Sequence, residues 1–189
     1  MEIKQNQYYR RYHIILAENM FNLINEKLGR DYADSTMFIN KAPSDYMKDG
    51  ETLNQSIFQN LMYGEDIMLS SIERVCDYFD IDVIDALIAN SPYSPDSSED
   101  AYSARLSKNL FKYIDTLPNF MATSSTSVDD VSEKAISAMT KLPPSPSDPK
   151  LQKSLLKKAL EGKDLKLSSI TRICDYFDIE LEMLLKPVA

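Results

Sequence analysis

The sequence predicts an all-α protein, a tandem repeat of two five-helix units. Three observations carry that prediction. Glycine occurs only 4 times in 189 residues, too seldom for a turn-rich barrel. Apolar residues recur at i, i+3, i+4 and i+7, the spacing of an amphipathic helix. The stretch GEDIMLSSIERVCDYFDIDVIDAL, Gly64 to Leu87, returns as GKDLKLSSITRICDYFDIELEMLL, Gly162 to Leu185, with 14 of 24 positions identical at a constant offset of 98.

A weaker correspondence lies upstream. Leu16, Asn19, Phe21 and Ile24 match Leu106, Asn109, Phe111 and Ile114 at an offset of 90. The difference of 8 residues implies an insertion between these helices and the repeated block. Between the copies, NSPYSPDSSED is rich in Pro, Ser and Asp and has no period, so it reads as a linker. The expected boundaries are 1–90 for the first unit, 91–100 for the linker and 101–189 for the second unit.

Each element has its own justification. In the first helix, His13, Leu16, Ala17, Met20, Phe21, Ile24 and Leu28 form an apolar stripe that Gly29 ends. Leu106, Leu110, Phe111, Ile114 and Leu117 repeat it, and Pro118 stops it. The second helix of the second unit starts at Ser127, a good N-cap. Asp129 and Asp130 occupy its first turn, where the helix dipole favours acids. Val128, Val131, Ala135, Ala138, Met139 and Leu142 form its buried face; the counterpart in the first unit is Asp34 to Ala42.

A third, short helix opens near Asn54, turns Phe58 and Leu61 inward, and ends at Gly64 in the left-handed conformation that glycine adopts cheaply. Its twin is expected after Asp148, with Pro149 in the first turn and Leu151, Leu155, Leu156 and Ala159 buried, and ends at Gly162. The fourth helix opens at Ser70 or Ser71 and buries Ile72, Val75, Cys76 and Phe79. The fifth follows Ile81, with Asp82 or Glu180 in its first turn. Neither unit shows a convincing strand.

Composition narrows function. The formal charge is −8 and the isoelectric point about 4.7, which excludes a uniformly basic nucleic-acid coat. The acidity is uneven: residues 1–90 carry −7, the linker −3 and residues 101–189 +2. Such sign asymmetry suggests different partners or different faces. No apolar run reaches the ~18 residues of a membrane span, and the start MEIKQNQYYRRYH lacks the apolar core of a secretory signal. Two cysteines are too few for a disulfide scaffold or a four-ligand zinc site. A reducing cytoplasm is the expected compartment.

A short helix ending in glycine, then a helix opened by small residues, then a hydrophobic-acid-x-x-Leu ending resembles the phage repressor and Cro-type (XRE) helix-turn-helix family. The stretches that carry the resemblance are LNQSIFQNLMYGEDIMLSSIERVCDYFDIDVIDAL and LQKSLLKKALEGKDLKLSSITRICDYFDIELEMLL, roughly 70 of the 189 residues. The resemblance implies that the helix before each glycine is the recognition helix and that the helices after it complete the core. The chain departs from the family in one place. PSDYMKDGETL and PPSPSDP stand where the family has a tight turn of three or four residues.

By register from the terminal glycine, the resemblance implies that the first recognition helix presents Asn54, Gln55, Ser56, Gln59 and Asn60. Amide side chains can bond adenine bidentately. The second presents Lys150, Gln152, Lys153, Ser154, Lys157 and Lys158, which suit phosphates or guanine. The structural alternative is the solvated polar face that any amphipathic helix needs. Glu65 and Asp66 follow the first helix where the family often has basic residues, and would repel phosphate.

Other candidates read as structural. YYRRYH, Tyr8 to His13, is the polar first turn of an amphipathic helix, or alternatively a phosphate grip. His13 is the only histidine, too little for a metal site. Cys76 and Cys174 share one repeat position and read as core. Asp77, Asp80, Asp175 and Asp178, in the recurring DYFD, read as caps of the fourth and fifth helices. With no P-loop, HExxH or GxSxG, no catalytic residue, metal or cofactor is expected.

The sequence therefore predicts a DNA-binding transcriptional regulator of bacterial or phage type, with double-stranded DNA as partner and two half-sites read by the tandem helix-turn-helix units. A homodimer or a regulatory protein is a further candidate partner. The alternative is a protein-interaction module on a repressor-like scaffold, such as an antagonist of another regulator or an antitoxin-like inhibitor.

Overall fold

The computed structural model describes residues 11–28, 47–48, 51–52, 55–88, 101–117, 127–139 and 151–187. The fold is helical. The first unit holds α1 (Arg11–Leu28), a two-stranded ladder of β1 (Met47–Lys48) and β2 (Glu51–Thr52), α2 (Gln55–Met62), α3 (Leu69–Phe79) and α4 (Val83–Leu87). The second holds α5 (Tyr102–Asp115), α6 (Val128–Met139), α7 (Lys153–Leu160), α8 (Leu167–Phe177) and α9 (Leu181–Leu185). By contacts the chain divides into two compact units, Met1–Pro95 with Lys166–Ser168, and Asp96–Leu165 with Ser169–Ala189.

In the first unit α1 packs against α2 and α4, and α3 against α2 and α4. Its core comes from the predicted stripes: Leu16, Met20 and Ile24 of α1, Phe58 and Leu61 of α2, Ile72, Val75, Cys76 and Phe79 of α3. The rings of Phe58 and Phe79 meet with centroids 5.7 Å apart. In the second unit α5 packs against α7 and α9, and α6 against α7. Leu106, Leu110 and Ile114 face Leu156, Ala159 and Leu160 in a core shared with Ile170, Ile173, Cys174 and Phe177. Tyr113 stacks edge-on against Phe177 at 5.9 Å, and its hydroxyl donates to the Phe177 carbonyl at 2.7 Å.

Two tertiary details recur in both units. Asn19 donates to the Ala86 carbonyl at 3.1 Å. Asn109, its counterpart, donates to the Leu184 carbonyl at 3.0 Å, the residue equivalent to Ala86, and to Lys186 at 2.8 Å. Gly64 and Gly162 close α2 and α7 at φ 66° and 67°. The amide after each donates back into the helix, Glu65 to Asn60 at 2.8 Å and Lys163 to Lys158 at 3.0 Å. A Cβ at Gly64 would lie 3.7 Å from the His13 carbonyl, and one at Gly162 3.9 Å from the equivalent Ser103 carbonyl.

Several expectations are corrected. The β1–β2 ladder is a strand element where none was expected, with Met47 opposite Thr52 and Lys48 opposite Glu51. The sequence between the strands is Asp49-Gly50, the dipeptide that two-residue hairpins favour. Phe21 is exposed rather than buried, because it lies beyond the edge of the stripe that Leu16, Met20 and Ile24 define. Ala17, Phe111, Val128 and Leu155 are half-buried. Helix α7 starts at Lys153, not at Pro149: Gln152 is extended, at φ −77° and ψ 131°, and serves as N-cap. The start matches Gln55 at the repeat offset. Helix α3 is not opened by a serine, since Met68 is its N-cap and no side chain caps it. Its register is set instead by Leu69, buried in the first helical position.

The acids of DYFD divide the capping differently from the expectation. Asp80 and Asp178 end α3 and α8 by adopting the left-handed conformation themselves, at φ 53° and 55°, which aspartate tolerates better than most residues. Asp82 is the side-chain cap, accepting from the Ile84 amide at 2.7 Å. Ser127 caps α6 as expected, accepting from the Asp130 amide at 3.2 Å. Gly29, the Asp34 to Ala42 helix, Asn54, Pro118, Leu142, Asp148, Pro149 and Lys150 lie outside the described residues.

Candidate nucleic-acid interface

The short helix before each left-handed glycine has one buried edge and one polar face. In α7, Leu156, Ala159 and Leu160 turn into the core. The helical period then leaves Ser154 and Lys158 on the opposite side, and Lys153 and Lys157 on the flank that meets α6. Lys153, Ser154 and Lys158 are exposed, Lys157 is half-buried, and Gln152 is exposed just ahead of the helix. Lys150 lies outside the described residues. In α2, Phe58 and Leu61 are buried, Ser56 and Asn60 are exposed, and Gln59 is half-buried. Gln55 is the first residue of α2, and Asn54 lies outside the described residues.

The lysines do not stand alone. Lys153 Nζ lies 2.8 Å from Glu133 Oε2, and Lys157 Nζ lies 2.8 Å from Asp129 Oδ2. Glu161 is a more distant neighbour of Lys157, at 3.9 Å. The two acids are spaced i, i+4 on α6 and the two lysines i, i+4 on α7, so the pairs form two rungs between neighbouring helices. The hydrogen bond to Asp129 raises the Lys157 amine above the ordinary lysine value and holds the Asp129 carboxyl below the usual carboxylate range. The hydrogen bond to Glu133 raises Lys153 in the same way. Lys153, Glu133 and Asp129 are well exposed to solvent and Lys157 partly so, so water and salt screen both pairs.

The sequence reading missed Asp129 and Glu133 as members of this face, and it missed Tyr63. Tyr63 is 59% exposed, an aromatic ring next to Gly64 on the side of α2 that carries Ser56 and Asn60. The signal for the acids was present as matching i, i+4 spacing on the two helices.

The position after each glycine differs in sign: Glu65 in the first unit, Lys163 in the second, both exposed. Asp66 is turned toward α1, where the buried His13 donates from Nε2 to Oδ1 at 3.0 Å. His13 is thus a core residue, 2% exposed. Cys76 and Cys174 are buried free thiols that burial, with nearby carboxylates, pushes far up. Among the described residues no group of three His, Cys, Asp or Glu side chains is placed to hold a metal ion. Among them, too, no helix is long and apolar enough to cross a membrane.

No protein-family model, curated protein or solved structure matches the chain.

Proposed function

We propose that the chain is a sequence-specific DNA-binding transcriptional regulator of bacterial or phage type, made of two repressor-like five-helix units in tandem. The observation that carries this reading is α7. It is a short helix backed by α5 and α6, closed by a left-handed glycine, with Ser154 and Lys158 on its outer face and Lys153 and Lys157 on the flank toward α6. A helix so mounted is suited to enter a major groove while its neighbour crosses the backbone. The second unit supplies electrostatic attraction through its lysines, and the first adds base discrimination through Asn60 and its amide neighbours. Two unlike units on one chain stand in for a repressor dimer and read two unlike half-sites in the cytoplasm.

Selection of sites from random DNA with the purified chain tests the reading. Enrichment of a two-part motif is the expected result. Lys158→Ala should weaken binding to every duplex and reduce the salt slope by about one. If no motif is enriched and Lys158→Ala is silent, the reading fails.

A second reading is favoured by the acid–lysine rungs and the −7 carried by residues 1–90. On that reading the repressor-like scaffold binds a regulatory protein instead, as an antagonist or antitoxin-like inhibitor. Salt separates the two. DNA affinity falls steeply with salt, whereas an apolar protein interface is little affected.

A further inference from the structure

We infer that Asp129 and Glu133 are affinity-setting residues: they occupy Lys157 and Lys153 as surrogate phosphates, and DNA must displace them. The inference rests on the proposed DNA-binding reading. Its ground is the pairing geometry. Each ammonium is held at 2.8 Å by one carboxylate oxygen of α6. That is the distance of a charge-assisted bond to a phosphate oxygen. The two acids therefore meet the lysines at the distance a phosphate oxygen would, on the flank of α7 that faces α6.

The pairs are weak by construction. Their side chains are 37–70% exposed, and exposed ion pairs contribute little because water and salt screen them. A phosphate that arrives with release of condensed counterions can replace such a partner. After displacement the two carboxylates remain close to the backbone and repel it within a Debye length, about 10 Å at 0.1 M salt. Both effects oppose DNA on every sequence, so base contacts must supply the remainder of the affinity. In the first unit Gln55 and Gln59 replace the two lysines at the repeat offset, so nothing there requires neutralising.

Asp129 has a second role, in the first turn of α6, where Ser127 caps and the helix dipole favours an acid. Glu133 lies one turn further in and has no such role. Glu133→Gln, which keeps size and helix propensity, is therefore the cleaner variant, and Asp129→Asn with Glu133→Gln the stronger one.

The experiment is a titration of full-length wild type, Glu133→Gln and the double variant with a random-sequence duplex of about 30 base pairs, at low and high salt. The melting temperature of each protein verifies folding. The expected result is tighter binding, by about tenfold at 0.1 M salt for the double variant and less for Glu133→Gln, with the gain shrinking as salt rises. The sign is decisive. If the acids instead position the lysines for DNA, both variants bind more weakly and the inference is overturned. Unchanged binding by folded variants overturns it as well. Wild type that binds this duplex in a salt-dependent way, with unchanged variants, refutes the displacement alone. If wild type and both variants all fail to bind this and any selected duplex, the DNA-binding reading falls with it.

Discussion

Asn109 is the residue whose removal tests the architecture most directly. Helix α9 has five residues, Leu181–Leu185. A helix this short cannot satisfy its own last carbonyls and is not stable alone. Asn109 on α5 supplies two of the missing donors through one side-chain amide, to Leu184 at 3.0 Å and Lys186 at 2.8 Å, in a site 7% exposed. Asn109→Ala removes both bonds and leaves carbonyls without a partner. At ~0.5–1.5 kcal/mol per bond, plus a penalty for a stranded acceptor, the loss is about 2–4 kcal/mol. Asn19 makes one bond to Ala86 at 3.1 Å in a half-buried site, so Asn19→Ala should lose only about 1 kcal/mol. Amide hydrogen exchange of the intact chain reads this locally. Amides of α5 and α9 should exchange roughly 30- to 1,000-fold faster in Asn109→Ala, and those of α1 and α4 about fivefold faster in Asn19→Ala. An Asn109→Ala effect below threefold, or one smaller than that of Asn19→Ala, would refute the argument that this asparagine holds the last helix.

Three further outcomes are expected. Phe177→Ala, at a site 1% exposed, should lower stability by ~3–5 kcal/mol; an unchanged urea midpoint shows the core assignment to be wrong. Gly162→Ala should cost ~1–2 kcal/mol from the left-handed φ of 67° alone, because a Cβ there meets its nearest atoms at ordinary contact distance, 3.9 Å. Thermal melting with no loss would contradict it. Asp82→Ala should cost about 1 kcal/mol, since Asp82 caps the Ile84 amide. Glu180→Ala, at the equivalent position without a side-chain cap bond, should be near neutral, and equal losses in chemical denaturation would overturn the distinction.

The sequence alone determined the helical class and the core positions of α3 and α8. Repetition and a 3.6-residue period state directly which side chains share a buried face, and Ile72, Val75, Cys76 and Phe79 are buried where the period puts them. It also determined that α2 and α7 end at Gly64 and Gly162, because the left-handed turn there selects for glycine. It did not determine what the polar residues meet. Asn19 and Asn109 were visible as a matching pair, yet their partners lie 67 to 77 residues away, and no local pattern encodes a bond of that length. Lys153 and Lys157 looked like an open basic face. Their counter-charges sit 20 and 28 residues upstream, across the proline-rich segment. Only the packing of α6 against α7 brings those charges to 2.8 Å. Periodicity reports which face a helix turns outward; the neighbouring helix decides what charge that face presents.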